Sequence, residues 1–147
     1  MMYFFKNKKV KLFLVHPGGP FFKNKDDGYW SIPKGLADKN EVLIEAAKRE
    51  FNEETGLPIN DRLESLGSIQ QKGGKIVHAW AYEIDNDNPV QIFCNTFELE
   101  WPPKSGKKIN IPEVDKGEFF HSEIAKQKIN SAQVELIDRL EKILNLN

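Results

Sequence analysis

Residues 35–57 read GLADKNEVLIEAAKREFNEETGL, and their arrangement decides the fold. From about Glu41 to Thr55 the residues carry helix signals, and Gly56 follows where a positive φ is cheap and a helix can stop. On a helix of about 100° per residue with Glu50 at zero, Glu53 lies near −60° and Glu54 near +40°, so the three acids share one stripe. Leu43, Ala46, Ala47 and Phe51 fall on the same side of that wheel, with Glu45, Lys48, Asn52 and Thr55 opposite. The expectation is three carboxylates on the core-facing side of the helix. Burial and mutual repulsion both oppose their ionisation. Arg49 supplies one positive charge against three negative ones, and a divalent cation would remove the deficit. Hard oxygen ligands without His or Cys select Mg²⁺ or Mn²⁺ over zinc. The alternative is a solvated acidic helix end, although acids at a helix C-terminus oppose the macrodipole.

Around this segment the chain alternates between strand and helix patterns with no repeat or linker, so its 147 residues are expected to form a single domain, 1–147. Tyr3 to Phe5 and Val10 to His16 read as strands about Lys6-Asn7-Lys8-Lys9, with Leu12, Leu14 and His16 on one face. Pro17 to Gly28 reads as a loop and Tyr29 to Ile32 as a short strand cut by Pro33. Leu63 to Gln71 and Lys75 to Ile84 flank Lys72-Gly73-Gly74, a hairpin signal. Val90 to Trp101 is β-rich, followed by a loop of Lys, Gly and Pro and an extended piece from Glu113 to Phe120. A short helix near Ser122 to Gln127 precedes an amphipathic one carrying Leu136, Ile137, Leu140, Ile143 and Leu144, which reads as a cover for the core or as a dimer contact.

Composition excludes several classes. The net charge of −1 points to neither a nucleic-acid nor a membrane partner. A single cysteine, Cys94, rules out an internal disulfide and a cysteine-based zinc site, and points to a reducing compartment. Apolar runs of about four residues at the start are too short for a signal segment or a membrane span, so a cytoplasmic location is expected.

The acidic segment resembles the Nudix signature: Gly, five residues, Glu, seven residues, Arg-Glu, a hydrophobic residue, any residue, Glu-Glu, any residue, Gly and a final hydrophobic residue. Gly35, Glu41, Arg49, Glu50, Phe51, Glu53, Glu54, Gly56 and Leu57 occupy all its constrained positions. At ordinary residue frequencies the pattern arises by chance with a probability on the order of 10⁻⁷. Trp30-Ser31-Ile32-Pro33-Lys34 resembles the strand that precedes the signature in many members, and a weaker similarity extends over nearly the whole chain.

This resemblance implies an α/β fold, a Nudix α/β/α sandwich around a mixed β-sheet, with a loop–helix–loop metal platform. It implies Mg²⁺-dependent hydrolysis of a diphosphate linkage in a nucleoside diphosphate joined to another group, with Mn²⁺ as a second option. Glu50, Glu53 and Glu54, with the main-chain carbonyl of Gly35, would hold the cations. Arg49 would orient the glutamates and Glu41 would support them. Members differ in which glutamate accepts the proton of the attacking water; Glu53 is the first choice here and Glu50 the second.

Outside the signature, a distal carboxylate is expected to serve the metal or act as base; Glu98, Glu100, Glu113 and Glu118 are available, and Glu113 is favoured. It lies six residues before Phe119, a spacing resembling that of dinucleoside polyphosphate hydrolases, although tryptophan is commoner at the aromatic position. A solvated strand-end acid is its other reading. Lys34 and Lys75 are candidates for phosphate contacts, against an ordinary role in solubilising the surface. Along Lys75 to Tyr82, alternation sets Val77, Ala79 and Ala81 against His78, Trp80 and Tyr82; Tyr82 is a candidate for stacking on a nucleobase, and Trp80 reads as buried against a helix. His16-Pro17-Gly18-Gly19-Pro20 resembles a feature of small bacterial Nudix proteins and reads first as a tight turn, second as a phosphate contact.

The expected substrate is a small-molecule nucleotide, a dinucleoside polyphosphate first. Nucleoside triphosphates, nucleotide sugars and the 5′ end of RNA stay open, as does a nucleotide-sensing module that does not cleave. Monomer and homodimer also stay open. The net charge conceals a segregation: residues 1–34 hold seven lysines and two aspartates, a balance of +5, whereas residues 35–57 hold three bases and six acids, a balance of −3. A basic N-terminal stretch beside an acidic platform suits a phosphate-bearing substrate bridged by Mg²⁺.

Overall fold

The computed structural model of the chain describes residues 1–33, 42–55, 63–84 and 96–146. The first hairpin joins β1 (Met2–Lys6) to β2 (Lys9–Pro17), with Lys6 opposite Lys9. Its two turn residues, Asn7 and Lys8, have φ of 53° and 66°, as a two-residue turn matched to strand twist requires. The second hairpin joins β3 (Glu64–Gln70) to β4 (Ile76–Glu83) through Gly73 and Gly74, both at positive φ. With β7 (Val114–His121) these strands form one sheet in the order β3-β4-β1-β2-β7. The β1–β4 pair is parallel and the others are antiparallel, so the sheet is mixed.

Helices α1 (Leu43–Thr55), α2 (Ser122–Lys128) and α3 (Val134–Ile143) complete a three-layer α/β/α arrangement. On one sheet face Leu12 and Leu14 pack with Trp30, Ala125, Leu136 and Leu140, under α2 and α3. On the other face Phe13 and Val15 pack with Met2, and Phe51 of α1 joins them. The core thus occupies both faces of β2, where alternation in the sequence pointed only to Leu12, Leu14 and His16. A near-continuous apolar run bounded by lysines is the pattern of a strand covered on both sides. Arg139 fastens α3 to the sheet by donating to the Leu66 and Ser68 carbonyls at 2.8 and 2.9 Å.

Two elements differ from expectation. The Lys-, Gly- and Pro-rich stretch contains a strand, β6 (Lys108–Pro112), paired with β5 (Thr96–Glu100) as a separate ribbon. Its Ile109 and Ile111 alternate with polar residues, and only the partner strand turns so weak a pattern into a pair. The segment Tyr29–Ile32 contributes two bridges, Ser31 to Val15 and Trp30 to Ile129, in place of a strand. Gln133 secures it, its side-chain oxygen accepting from the Ile32 amide at 3.0 Å.

The glycines of His16–Pro20 have a packing reason. A Cβ on Gly18 would lie 2.0 Å from the Pro112 carbonyl oxygen, and one on Gly19, at φ +100°, would lie 2.9 Å from Ile111. The Gly18 amide donates to the Glu113 carbonyl at 3.1 Å, so that amide is engaged within the fold. Gly18→Ala is expected to cost about 1–3 kcal/mol through forced separation of these backbones, lowering Tm by about 3–10 °C. Gly28→Ala, at φ +85° with open space around it, carries only local strain and should melt higher than Gly18→Ala. Thermal denaturation of the two variants checks the order.

Candidate active site

The acidic helix positions its groups through one apolar anchor. Phe51 packs among Met2, Phe13 and Val15 and meets Tyr82 ring to ring at 5.9 Å and 66°. With Phe51 turned inward, Arg49, Glu50 and Glu53 lie along the rim of the same helix. Arg49 Nη1 donates to Glu50 Oε1 at 3.0 Å and reaches both carboxylate oxygens of Glu53 at 3.4 Å. One guanidinium nitrogen therefore sits where two carboxylates converge.

The stripe is less buried than its wheel position suggests. Glu50 is 23% exposed and Glu53 57%, and Leu43, placed on the core side by its periodicity, is 44% exposed while Ala46 is buried. Ala46 and Phe51 face the sheet, whereas Leu43, at the start of the helix, lies beyond its cover. Glu53 is accordingly open to solvent at the rim, whereas Glu50 is largely covered.

Glu50 and Glu53 suit a divalent cation. Both supply hard oxygen donors, and both already turn toward a single positive centre. The Glu54 side chain, Gly35, Glu41 and Lys34 lie outside the described residues, and so does Cys94. Among the described residues no three His, Cys, Asp or Glu side chains are grouped as a complete ligand set.

Residues 2–139 match the NUDIX domain family model. The chain is a Nudix hydrolase. An Ap4A hydrolase from C. elegans, solved as a binary complex, superposes with a TM-score of 0.70 at 18% identity, covering 99% of this chain and 96% of that one. The NUDIX domain of Shewanella oneidensis NrtR, solved with ADP ribose, gives a TM-score of 0.64 at 16% identity over 97% and 83% of the two chains. A mutT/nudix family protein from Listeria innocua gives 0.63 at 17% identity over 99% and 90%. These likenesses concern the fold. No curated protein matches the sequence.

In this Nudix domain the other candidate residues are dispersed. Tyr82 lies against Phe51, on the sheet face that carries α1. Lys75 sits beside the β3–β4 turn, its carbonyl accepting from the Gln71 amide at 2.8 Å. Tyr82 is seven positions further along the extended chain, about 23 Å away. His78 is exposed and Trp80 half-buried, whereas Val77, Ala79 and Ala81 are buried, as the alternation requires. Glu113 occupies the corner between β6 and β7 and lines a cleft of about 330 Å³ with Pro17, Phe22, Tyr29, Ser31 and Val114. No helix among the described residues is long and apolar enough to cross a membrane.

The loop that forms one wall of this cleft is held at several points. His16, buried, meets Asp115 Oδ1 through Nδ1 at 2.8 Å and donates from Nε2 to the Lys25 carbonyl at 2.6 Å. Asp26 accepts from Lys128 Nζ at 2.6 Å and from the Trp30 indole at 2.8 Å. The Lys128 ammonium foremost, then the indole N–H, hold the Asp26 carboxyl below its ordinary value. Gln127 Nε2 donates to Asp27 at 2.7 Å. The sequence signalled a loop here through Pro-Gly-Gly-Pro but gave no sign of the latches to Asp115, Gln127 and Lys128, which lie 99 to 102 residues along the chain from their partners.

Proposed function

We propose that this Nudix hydrolase cleaves a diphosphate linkage in a nucleoside diphosphate joined to another group, with dinucleoside polyphosphates as the first substrate class. The observation that carries the reading is the convergence of Glu50 and Glu53 on Arg49 Nη1. The domain is taken as 1–147, its location as cytoplasmic, and its cofactor as Mg²⁺ or Mn²⁺.

Glu50, Glu53 and Glu54 would hold the cation together with the Gly35 carbonyl. When bound, the cation neutralises phosphate oxygens and makes a water more acidic. Arg49 keeps Glu50 and Glu53 in register along the helix by charge-assisted hydrogen bonds. Glu53 is the more exposed of the pair and would accept a proton from water at its carboxylate, with Glu50 as second choice. Glu113 is retained as a distal carboxylate of the site. Lys34 would contact phosphate beside the platform, and Tyr82 supports the helix through Phe51. Lys75, at the far end of β4, suits only the distal end of an extended substrate.

The test is phosphate release and product identification with diadenosine tetraphosphate, nucleoside triphosphates, nucleotide sugars and 5′-triphosphorylated RNA, each with Mg²⁺ and with a chelator. Metal-dependent cleavage of diadenosine tetraphosphate ahead of the other substrates is expected. Preference for another substrate sinks the substrate class, and turnover that survives chelation sinks the metal mechanism. Tight nucleotide binding without any turnover makes the domain a sensor.

A further inference from the structure

We infer that Gln133 is a positioning residue for the metal platform: its side-chain carbonyl fixes the point from which the chain enters the Nudix signature. The inference rests on the reading above of the Gly35 carbonyl as a cation ligand, and on geometry at Ile32 that does not depend on that reading.

A carboxamide in the core needs a reason. Gln133 is 0% exposed, and among the described residues the other buried polar side chain is His16. It closes a 3₁₀ turn, Ser131–Gln133, at the head of α3. Its Oε1 accepts from the Ile32 amide at 3.0 Å, across 101 residues of chain. The amide can only donate, so the carbonyl end of the carboxamide must face it. The Nε2 end has no hydrogen-bond partner among the described residues. A buried donor left unpaired is destabilising, and an apolar side chain of the same length would avoid it. Packing alone therefore does not account for this residue.

Gln133 completes a ladder. The Trp30 amide donates to the Lys128 carbonyl at 3.1 Å, and the Asn130 amide donates to the Trp30 carbonyl at 2.8 Å. From Ser131 the chain winds into the 3₁₀ turn, and the acceptor for Ile32 is the Gln133 side chain in place of a main-chain carbonyl. On the other edge Ser31 exchanges two main-chain bonds with Val15 of β2, at 2.9 and 3.0 Å. The segment is thus gripped from both sides as far as Ile32.

Beyond that hold the chain has little freedom. Pro33 follows, with no amide to donate and its own φ fixed by the ring, and it restricts Ile32 to extended backbone. Three residues span at most about 11 Å, so Gly35 stays within that reach of Ile32 whatever path it takes. Gln133 thus acts on the platform through the backbone that leads into it, and not by contact with the acidic helix.

Mn²⁺ binding without nucleotide, read from the electron paramagnetic resonance signal of the free ion, tests this apart from turnover. Gln133→Met keeps the length of the side chain and removes the acceptor. It trades one unpaired buried group for another, so its Tm should lie near that of the parent while its Kd for Mn²⁺ rises about 10-fold. Hydrogen exchange at the Ile32 amide should quicken by about the same factor. Gln133→Glu keeps an oxygen facing that amide and should hold Kd within about threefold of the parent. Ile137→Val, as deeply buried and four residues further on in α3, should lower Tm by a few degrees and leave Kd unchanged. Should Gln133→Met not fold, Gln133→Asn, which falls short of the Ile32 amide, takes its place with the same expected Kd. A Kd for Gln133→Met within about twofold of the parent, Gln133→Glu no better than Gln133→Met, or an equal loss of affinity in Ile137→Val would each overturn the role. A parent that binds no Mn²⁺ removes the cation reading and the role together; a parent that binds it, with Gln133→Met unchanged, removes the role alone.

Discussion

Glu53→Gln is expected to lower kcat on the preferred nucleotide by about 10²- to 10⁴-fold, and Glu50→Gln by a similar factor. Each change keeps the shape of the side chain and removes one negative charge from the pair that converges on Arg49 Nη1. The helix should survive, because partly exposed ion pairs are worth about 0–1 kcal/mol and Phe51, the anchor, is untouched. Tm within a few degrees of the parent is therefore expected beside the loss of rate. The two variants should also need more Mg²⁺ for half-maximal activity, which an effect on the base alone would not produce. Glu45→Gln is the control. Glu45 lies on the other side of α1, 3.7 Å from Lys48, and the same charge change there should leave kcat within about twofold. Activity of Glu53→Gln within about threefold of the parent would remove that residue from the machinery.

Such a site is legible in one sequence because its parts are contiguous. Arg49, Glu50, Phe51 and Glu53 fall within little more than one turn of a single helix, so spacing alone fixes their relative directions. Turn chemistry reveals the two hairpins in the same way: Asn7-Lys8 and Gly73-Gly74 meet the backbone conformations their strands demand. What could not be read required knowledge of neighbours. Leu43 carries the right periodicity and is still exposed, since periodicity names a face without saying how far the sheet reaches beneath it. β6 needs β5 to become a strand. Gly18 reads as a turn residue, yet its constraint is the Pro112 carbonyl, brought to it from the far side of the chain by the pairing of β2 with β7. The cleft is assembled from residues near 17–33, 113–114 and 130, and no local pattern could have announced it.

Trp30→Ala carries the largest expected loss of stability, about 3–5 kcal/mol from the vacated core volume, or about 6–20 °C in Tm at roughly 2–4 °C per kcal/mol. Trp30 is 2% exposed and meets Phe120 edge to face at 5.0 Å and His16 at 5.2 Å, so no rearrangement of one neighbour can fill its place. Its indole N–H also donates to Asp26 Oδ1, which Lys128 holds from the other oxygen. Trp30→Phe separates the two contributions, keeping most of the packing and losing the donor. Because the folded-state Asp26 carboxyl lies below its ordinary value of 3.8, with Lys128 as the larger cause, its stabilisation is present above about pH 4 and is lost as pH falls through the lowered value. The gap in Tm between parent and Trp30→Phe should therefore be widest at neutral pH and narrow on acidification below pH 4, as protonated Asp26 ceases to reward the indole donor. A gap that does not change across that range would assign the whole hold on Asp26 to Lys128 and leave Trp30 a packing residue alone.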